Sequence, residues 1–142
     1  MIIFKFYKGK ENYDDCFYVR NEVFVIEQGF SLEIEQDEID NTCTHIVFYA
    51  DNQPIATGRS FINDHGDYTL GRICVLPSYR GDGLGARVIQ TLELKAKEEG
   101  ASKTHLGAQI QAIDFYKRLG YKEVGEVYYE EGCPHIHMIK SI

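Results

Sequence analysis

Alternating and helix-spaced apolar positions divide the chain into a strand-rich front half and a mixed rear half. Residues 2–8, with Ile2, Ile3, Phe4, Phe6 and Tyr7, suit a first strand. Phe17, Val19, Val23, Phe24 and Ile26 give residues 13–28 a mixed helix-like pattern, ended by Gly29. Residues 30–44 read as a loop or a short second helix. Three strands follow over 45–50, 55–62 and 68–76, joined by polar turns at Asp51-Asn52-Gln53-Pro54 and Asn63-Asp64-His65-Gly66-Asp67. Tight turns between them predict an antiparallel meander. After a loop over 77–83, Leu84, Val88, Leu92 and Ala96 fall four apart on one helical face, and Gly100 closes that helix. A strand over 103–109, a short helix over 112–119 capped by Gly120, and strands over 121–129 and 135–140 complete the chain. A strand, a helix of roughly 15 residues and another strand imply a parallel pair joined by a right-handed crossover. The expected fold is α+β, a three-layer α/β/α arrangement with an antiparallel front half and one βαβ crossover.

Composition narrows this picture. The 142 residues suit one domain spanning 1–142. Hydrophobic residues at 44% and charged residues at 26% are ordinary globular usage, which excludes long disorder and collagen-like repeats. The net charge of -7 repels phosphate backbones and anionic lipid, so neither a nucleic acid nor a membrane is an expected partner. No apolar run approaches the roughly 20 residues of a membrane helix. The first residues lack the basic region and cleavage site of a signal peptide. Cys16, Cys43, Cys74 and Cys133 are widely spread, without C-x-x-C spacing, which points to reduced thiols in a cytoplasmic protein.

The most informative stretch runs from Ile73 to Gly85, from a strand through a glycine-rich turn into a helix. Gly81, Gly83 and Gly85 alternate, so backbone N–H groups can converge on one point with no Cβ in the way. The helix start adds unpaired donors and the positive end of its dipole, and Arg80 adds a formal charge. Together they suit a phosphate or diphosphate. A nucleoside-triphosphate loop needs Gly-Lys-Ser/Thr, whereas Gly85 is followed by Ala86-Arg87. Gly81-x-Gly83-x-x-Ala86 satisfies the loose dinucleotide fingerprint, but it follows an antiparallel front half and the next strand ends at Gln109. A dinucleotide-dependent oxidoreductase therefore does not fit.

Arg80-x-x-Gly83-x-Gly85 resembles the coenzyme loop of the GNAT superfamily of acyl-CoA-dependent N-acetyltransferases. Residues 112–121, with Ala112, Tyr116, Gly120 and Tyr121, are similar to a second motif of that superfamily. Arg20-x-x-Val23-Phe24-Val25-x-Glu27-Gln28, Asp37-Glu38-x-Asp40, His45 and Pro134-His135 resemble its ElaA-like branch. The resemblance implies a GNAT-type fold and transfer of acetyl from acetyl-CoA to a primary amine of a small molecule or peptide. It places the coenzyme diphosphate on Arg80, Gly81, Asp82, Gly83, Leu84 and Gly85. The pantetheine arm would lie along Ile73, Cys74 and Val75, with Gln109 as a further coenzyme contact where an asparagine is commoner. Tyr116 is the candidate acid for the departing sulfur, and it too would touch the coenzyme. The strand over 68–76 has no glutamate to act as base, so either another group serves or ordered water carries the proton away. Glu38, His45 and His135 are the candidate groups, because they lie in the segments shared with the ElaA-like branch. A homodimer is also expected from the resemblance.

Three further readings complete the expectations. Glu27, Glu33, Glu35, Asp37, Glu38 and Asp40 form a run without Lys or Arg, read either as a solvated loop or as a wall attracting an ammonium substrate. Cys133, His135 and His137, with Cys43 and His45, are metal-ligating types, but the two segments need not meet and this chemistry needs no metal, so none is assigned. The alternative to an enzyme is a non-catalytic acyl-CoA-binding sensor, supported by the missing strand glutamate.

Overall fold

The computed structural model describes residues 1–142. The chain runs β1 (Ile2–Lys8), α1 (Tyr13–Arg20), a π-helical stretch (Asn21–Glu27), α2 (Leu32–Glu35), a 3-10 turn (Glu38–Asn41) and β2 (Thr44–Ala50). It continues through β3 (Gln53–Ile62), β4 (Tyr68–Val75), α3 (Leu84–Glu98), β5 (Lys103–Gln109), α4 (Ile113–Arg118), β6 (Lys122–Glu130) and β7 (Cys133–Ser141). The strands form one sheet in the order β1-β2-β3-β4-β5-β7-β6. Every neighbouring pair is antiparallel except β4 and β5, which flank α3. The expected meander, crossover and α+β class are all present.

Alternation along the strands builds the layers. Ile46 and Phe48 of β2 join Leu84, Val88, Ile89 and Leu92 of α3 on one face of the sheet. Val47 and Tyr49 face the other way, with Cys16 of α1. Each fully buried aliphatic side chain here contributes about 1.5–3 kcal/mol relative to exposure. Gly58 lets α3 come down onto β3: a Cβ there would lie 2.8 Å from Ile73 Cδ1 and 2.9 Å from Val88 Cγ1.

The single helix expected over 13–28 is divided. After Arg20 the hydrogen bonding widens to the π pattern, with Gln28 N–H donating to Val23 O at 3.0 Å. The stretch ends by bringing Glu27 and Gln28 over the sheet, where both reach partners across a cleft.

Candidate active site

Two strands that begin as neighbours and then part create the cleft. β4 and β5 pair only at Tyr68↔Thr104 and Thr69↔His105. The cause lies in β4. Between Thr57↔Cys74 and Arg59↔Gly71 the register with β3 slips, which leaves an extra residue on β4. Leu70 and Val75, five positions apart, consequently face the same core, where an unbroken strand would put them on opposite faces. Arg72 at the bulge takes φ 51, uncommon for a side-chain-bearing residue. The opening has a volume of about 920 Å³ and runs from the glycine loop, between β4 and β5, to β6 and β7. That volume is at the upper end of small-ligand sites.

At one end of the cleft, the amides of residues 81–86 donate to no backbone carbonyl, and the first helical bond of α3 is Arg87 N–H to Gly83 O at 3.1 Å. Gly81 and Gly83 hold φ 98 and φ 78, which turn these donors outward, and α3 has no capping side chain. A consecutive row of free N–H groups on a helix start is an anion cradle. Gly85 serves differently: a Cβ there would meet Phe115 Cζ at 3.4 Å, so it seats α4 against α3.

Arg80 lines this end but is already engaged. Its Nε donates to Val75 O at 2.9 Å, and its two terminal nitrogens donate to Glu27 at 2.8 and 2.6 Å. This ion pair holds the Glu27 carboxyl below its ordinary pKa. On the opposite wall Gln109 Nε2 donates to Gln28 Oε1 at 3.1 Å. Glu27 and Gln28 thus strap the slot from β4 to β5. The free main-chain amides form the cradle, while Arg80 is an anchor for the strap.

The acidic run is largely neutralised. Arg20, wholly buried, donates to Glu35 Oε2 at 2.6 Å, to Glu35 O at 2.9 Å, and to both Asp40 oxygens at 2.8 and 3.0 Å. Arg59 holds Asp37 at 2.7 Å and Asp40 at 2.8 Å, and Arg72 lies 3.3 Å from Glu35 and 3.4 Å from Asp37. Three guanidiniums thus face three carboxylates, and hydrogen bonds and charge from Arg20 and Arg59 drive the Asp40 pKa far down against its burial. With Glu27 on Arg80, only Glu33 and Glu38 of the six acids lack an arginine. The expected ammonium-attracting wall is therefore a charge-balanced cluster, because its counter-charges come from remote parts of the sequence. Asp40, Cys43 and His45 lie within 4.8 Å of one another, but two arginines already occupy the Asp40 carboxylate.

The structure brings some expected site residues together and separates others. Ile73, Cys74, Val75, Arg80, Gly81, Gly83, Leu84, Gly85, Gln109, Tyr116 and His135 all line the cleft. Asp82 does not; its side chain is on the exposed side of the loop. Glu38 is exposed and outside the cleft, because the 3-10 turn points its neighbours Asp37 and Asp40 inward to the arginines. His45 is also outside. It is 1% exposed under the ring of Tyr13, its Nε2 is 3.3 Å from Cys43 Sγ, and burial holds its pKa down at about 4.

Tyr116 faces the cleft from α4, and burial pushes its phenol up to about 12. His135 Nδ1 donates to Cys133 O at 2.8 Å, so in the neutral ring Nε2 carries the lone pair. The ring of Tyr128 stacks on it at 5.7 Å. Residues the sequence reading missed on the cleft wall include Arg72, Tyr128, Glu130 and Glu131; His137, which the sequence offers as a metal-ligating type or as half of an end-strand histidine pair near the acceptor pocket, also lines the cleft. The Tyr128 hydroxyl occupies the space a Cβ at Gly107 would need. The lone glycine in a strand otherwise bearing side chains was a signal for such close approach.

A mixed sheet whose one parallel pair splays over a glycine-rich helix entry defines an acyl-CoA-dependent N-acyltransferase. The comparisons agree. The family model described as "Acetyltransferase (GNAT) domain" matches residues 12–142, and the chain belongs to that family. It is 44% identical over 135 residues to the uncharacterized N-acetyltransferase YjcF of Bacillus subtilis (strain 168), covering 94% of this chain and 96% of the relative. Among solved structures it is similar to Escherichia coli ElaA, with TM-score 0.88, 27% identity and 99% of each chain covered. It is likewise similar to an acyl-CoA N-acyltransferase from Pseudomonas aeruginosa, with TM-score 0.86, 28% identity and 99% of each chain covered.

Proposed function

We propose that the protein moves an acetyl group directly from acetyl-CoA to a primary amine. The observation that carries this reading is the row of unpaired amides over residues 81–86 at the mouth of the β4–β5 opening. The diphosphate sits on those amides and the pantetheine runs beside Ile73, Cys74 and Val75, where β4 has lost its strand partner. Gln109 contacts the coenzyme from β5. Transfer then requires a deprotonated amine, a stabilised thioester oxygen and a protonated leaving thiol. Tyr116 supplies the proton to sulfur: burial keeps its phenol protonated at neutral pH, so a proton is at hand as negative charge develops on the departing sulfur. The imidazoles of His135 and His137 form the wall that receives the amine's proton.

The acceptor side supports an amine attached to an apolar body. Phe30, Ile34, Ile39 and Phe61 line the cleft, as do Glu130 and Glu131. Calorimetric titration with acetyl-CoA, followed by thiol release over a panel of aromatic amines, polyamines and peptides, tests the reading. Binding and amine-dependent release are expected. Tight binding with no release from any amine would favour a sensor, and no binding would end the reading altogether. Tyr116→Phe should lower turnover by about 10² while leaving coenzyme affinity within a few-fold.

A further inference from the structure

Asp67, His105 and His137 form a continuous hydrogen-bonded chain that ends in the cleft. Positions 67 and 69 share one face of the chain leading into β4, and Thr69 pairs with His105. His105 is followed on the same face by Gly107, which pairs with His137. This register sets the three side chains side by side. Asp67 Oδ2 lies 2.8 Å from His105 Nε2, and His105 Nδ1 lies 2.9 Å from His137 Nε2. Asp67 is itself held by its turn, where Asn63 Oδ1 accepts from the amides of His65 and Asp67 at 2.9 and 3.1 Å.

The protons along this chain can be assigned by elimination. A carboxylate only accepts, so His105 carries its proton on Nε2. In the neutral ring His105 Nδ1 then accepts, and His137 must donate from Nε2. The lone pair of His137 is left on Nδ1. That atom is not among the buried polar atoms lacking a partner (Glu35 Oε1, His45 Nδ1 and Arg59 Nε), and His137 lines the cleft. An unprotonated ring nitrogen is therefore left accessible on a residue that lines the cleft.

We infer that His137 is the base that deprotonates the acceptor amine, with His105 and Asp67 as positioning residues that take over the resulting charge; this rests on the acetyl-transfer reading above. An incoming ammonium gives one proton to His137 Nδ1. The Nε2 proton passes to His105 Nδ1, and the positive charge settles beside Asp67. The freed nitrogen pair attacks the thioester carbonyl, a C–N bond forms, and the C–S bond breaks with its electrons on sulfur. Tyr116 protonates that sulfur and regains a proton as the amide nitrogen loses its second, so one proton leaves to solvent per turnover. His135 differs in having only the neutral Cys133 carbonyl behind it, so a proton taken there has no anion to settle against.

Other ionisable groups face His137 across the site: His135 from its own strand, Tyr128, Glu130 and Glu131 from β6 and its turn, and Arg72, Glu35 and Asp37 from β4, α2 and the turn after it. Burial and the neighbouring His105 hold His137 below the ordinary imidazole pKa, which keeps it unprotonated and ready at neutral pH. Asp67→Asn preserves an acceptor for His105 Nε2–H but removes the charge, so it separates electrostatics from shape.

Long-range 1H–15N correlation spectra of the histidines, recorded across pH on wild type, Asp67→Asn and His137→Gln, test this directly. Wild type should show His105 and His137 both protonated at Nε2 near neutral pH. In Asp67→Asn the tautomers should persist, while protonation of the pair shifts down by about one pH unit. A His137 proton found on Nδ1, or a titration indifferent to Asp67→Asn, would overturn the inference whether or not any probe amine turns over. With tyramine or spermidine as probe, His137→Gln should lower kcat by about 10² or more and abolish the acidic limb of its pH profile. His135→Gln should retain that limb. Unchanged kcat in His137→Gln would refute the role. Acetyl-CoA affinity, measured by calorimetry, should survive in His137→Gln; loss of binding in wild type would instead indict the acetyl-transfer reading.

Discussion

Arg20→Ala should be among the most damaging single substitutions outside the cleft. Arg20 is 0% exposed and makes four hydrogen bonds, three to carboxylate oxygens of Glu35 and Asp40 and one to the Glu35 carbonyl. Removing it leaves both acids buried, with Asp40 held by Arg59 alone and Glu35 by Arg72. Taking one partner from a buried ion pair costs about 3–5 kcal/mol, because the buried charges lose a counter-ion and hydrogen bonds that water cannot replace. For a domain of this size that is on the order of 10–15 °C in Tm. It is also a large share of the roughly 5–15 kcal/mol that holds such a domain folded. Arg20→Lys keeps the charge but not the fork that spans two acids, so it should recover only part of the loss. Urea unfolding at neutral pH measures both variants. A loss below about 1 kcal/mol for Arg20→Ala would show that Glu35 and Asp40 are not charged and buried together, and the balanced cluster would have to be abandoned.

Gly58→Ala should cost about 1–3 kcal/mol by overpacking, since its Cβ would lie within 3.0 Å of Leu92 Cδ1 as well as crowding Ile73 and Val88. Thermal melts would register it. His45, held at about 4 by burial against an ordinary 6.5, binds its proton in the unfolded chain first. Stability should therefore be fully present above pH 6.5 and fall by about 3 kcal/mol toward pH 4, a decline that His45→Gln should flatten. Asp37 and Asp40 are shifted down, so their contribution is present above the ordinary carboxylate pKa and is lost as pH falls through that value and below it. Gly83→Asp should abolish acetyl-CoA binding in calorimetry, because it adds bulk at φ 78 and a negative charge where the diphosphate sits.

What could be read from the chain was local. The three alternating glycines, the four-residue spacing of Leu84, Val88, Leu92 and Ala96, and the turns around Pro54 and Gly66 each carry their meaning within a few residues. The bulge at Arg72 was less visible, since it shows only when Leu70 and Val75 are seen to share a face. The arginine cluster was not legible, because Glu35, Asp37 and Asp40 meet guanidiniums from α1, β3 and β4. The same holds for Asp67, His105 and His137, which are scattered in the sequence and meet through the pairings Thr69↔His105 and Gly107↔His137. His45 misled for the opposite reason: its motif neighbours resemble a site, while its strand position lies inside the sheet, beneath α1.

An amide chemical-shift titration with acetyl-CoA addresses the assignment most directly. The account predicts that the largest shifts fall on residues 81–86, with a second group at Ile73 and Val75 along β4. Saturating coenzyme that leaves the 81–86 amides unmoved, or moves a different surface instead, would contradict it.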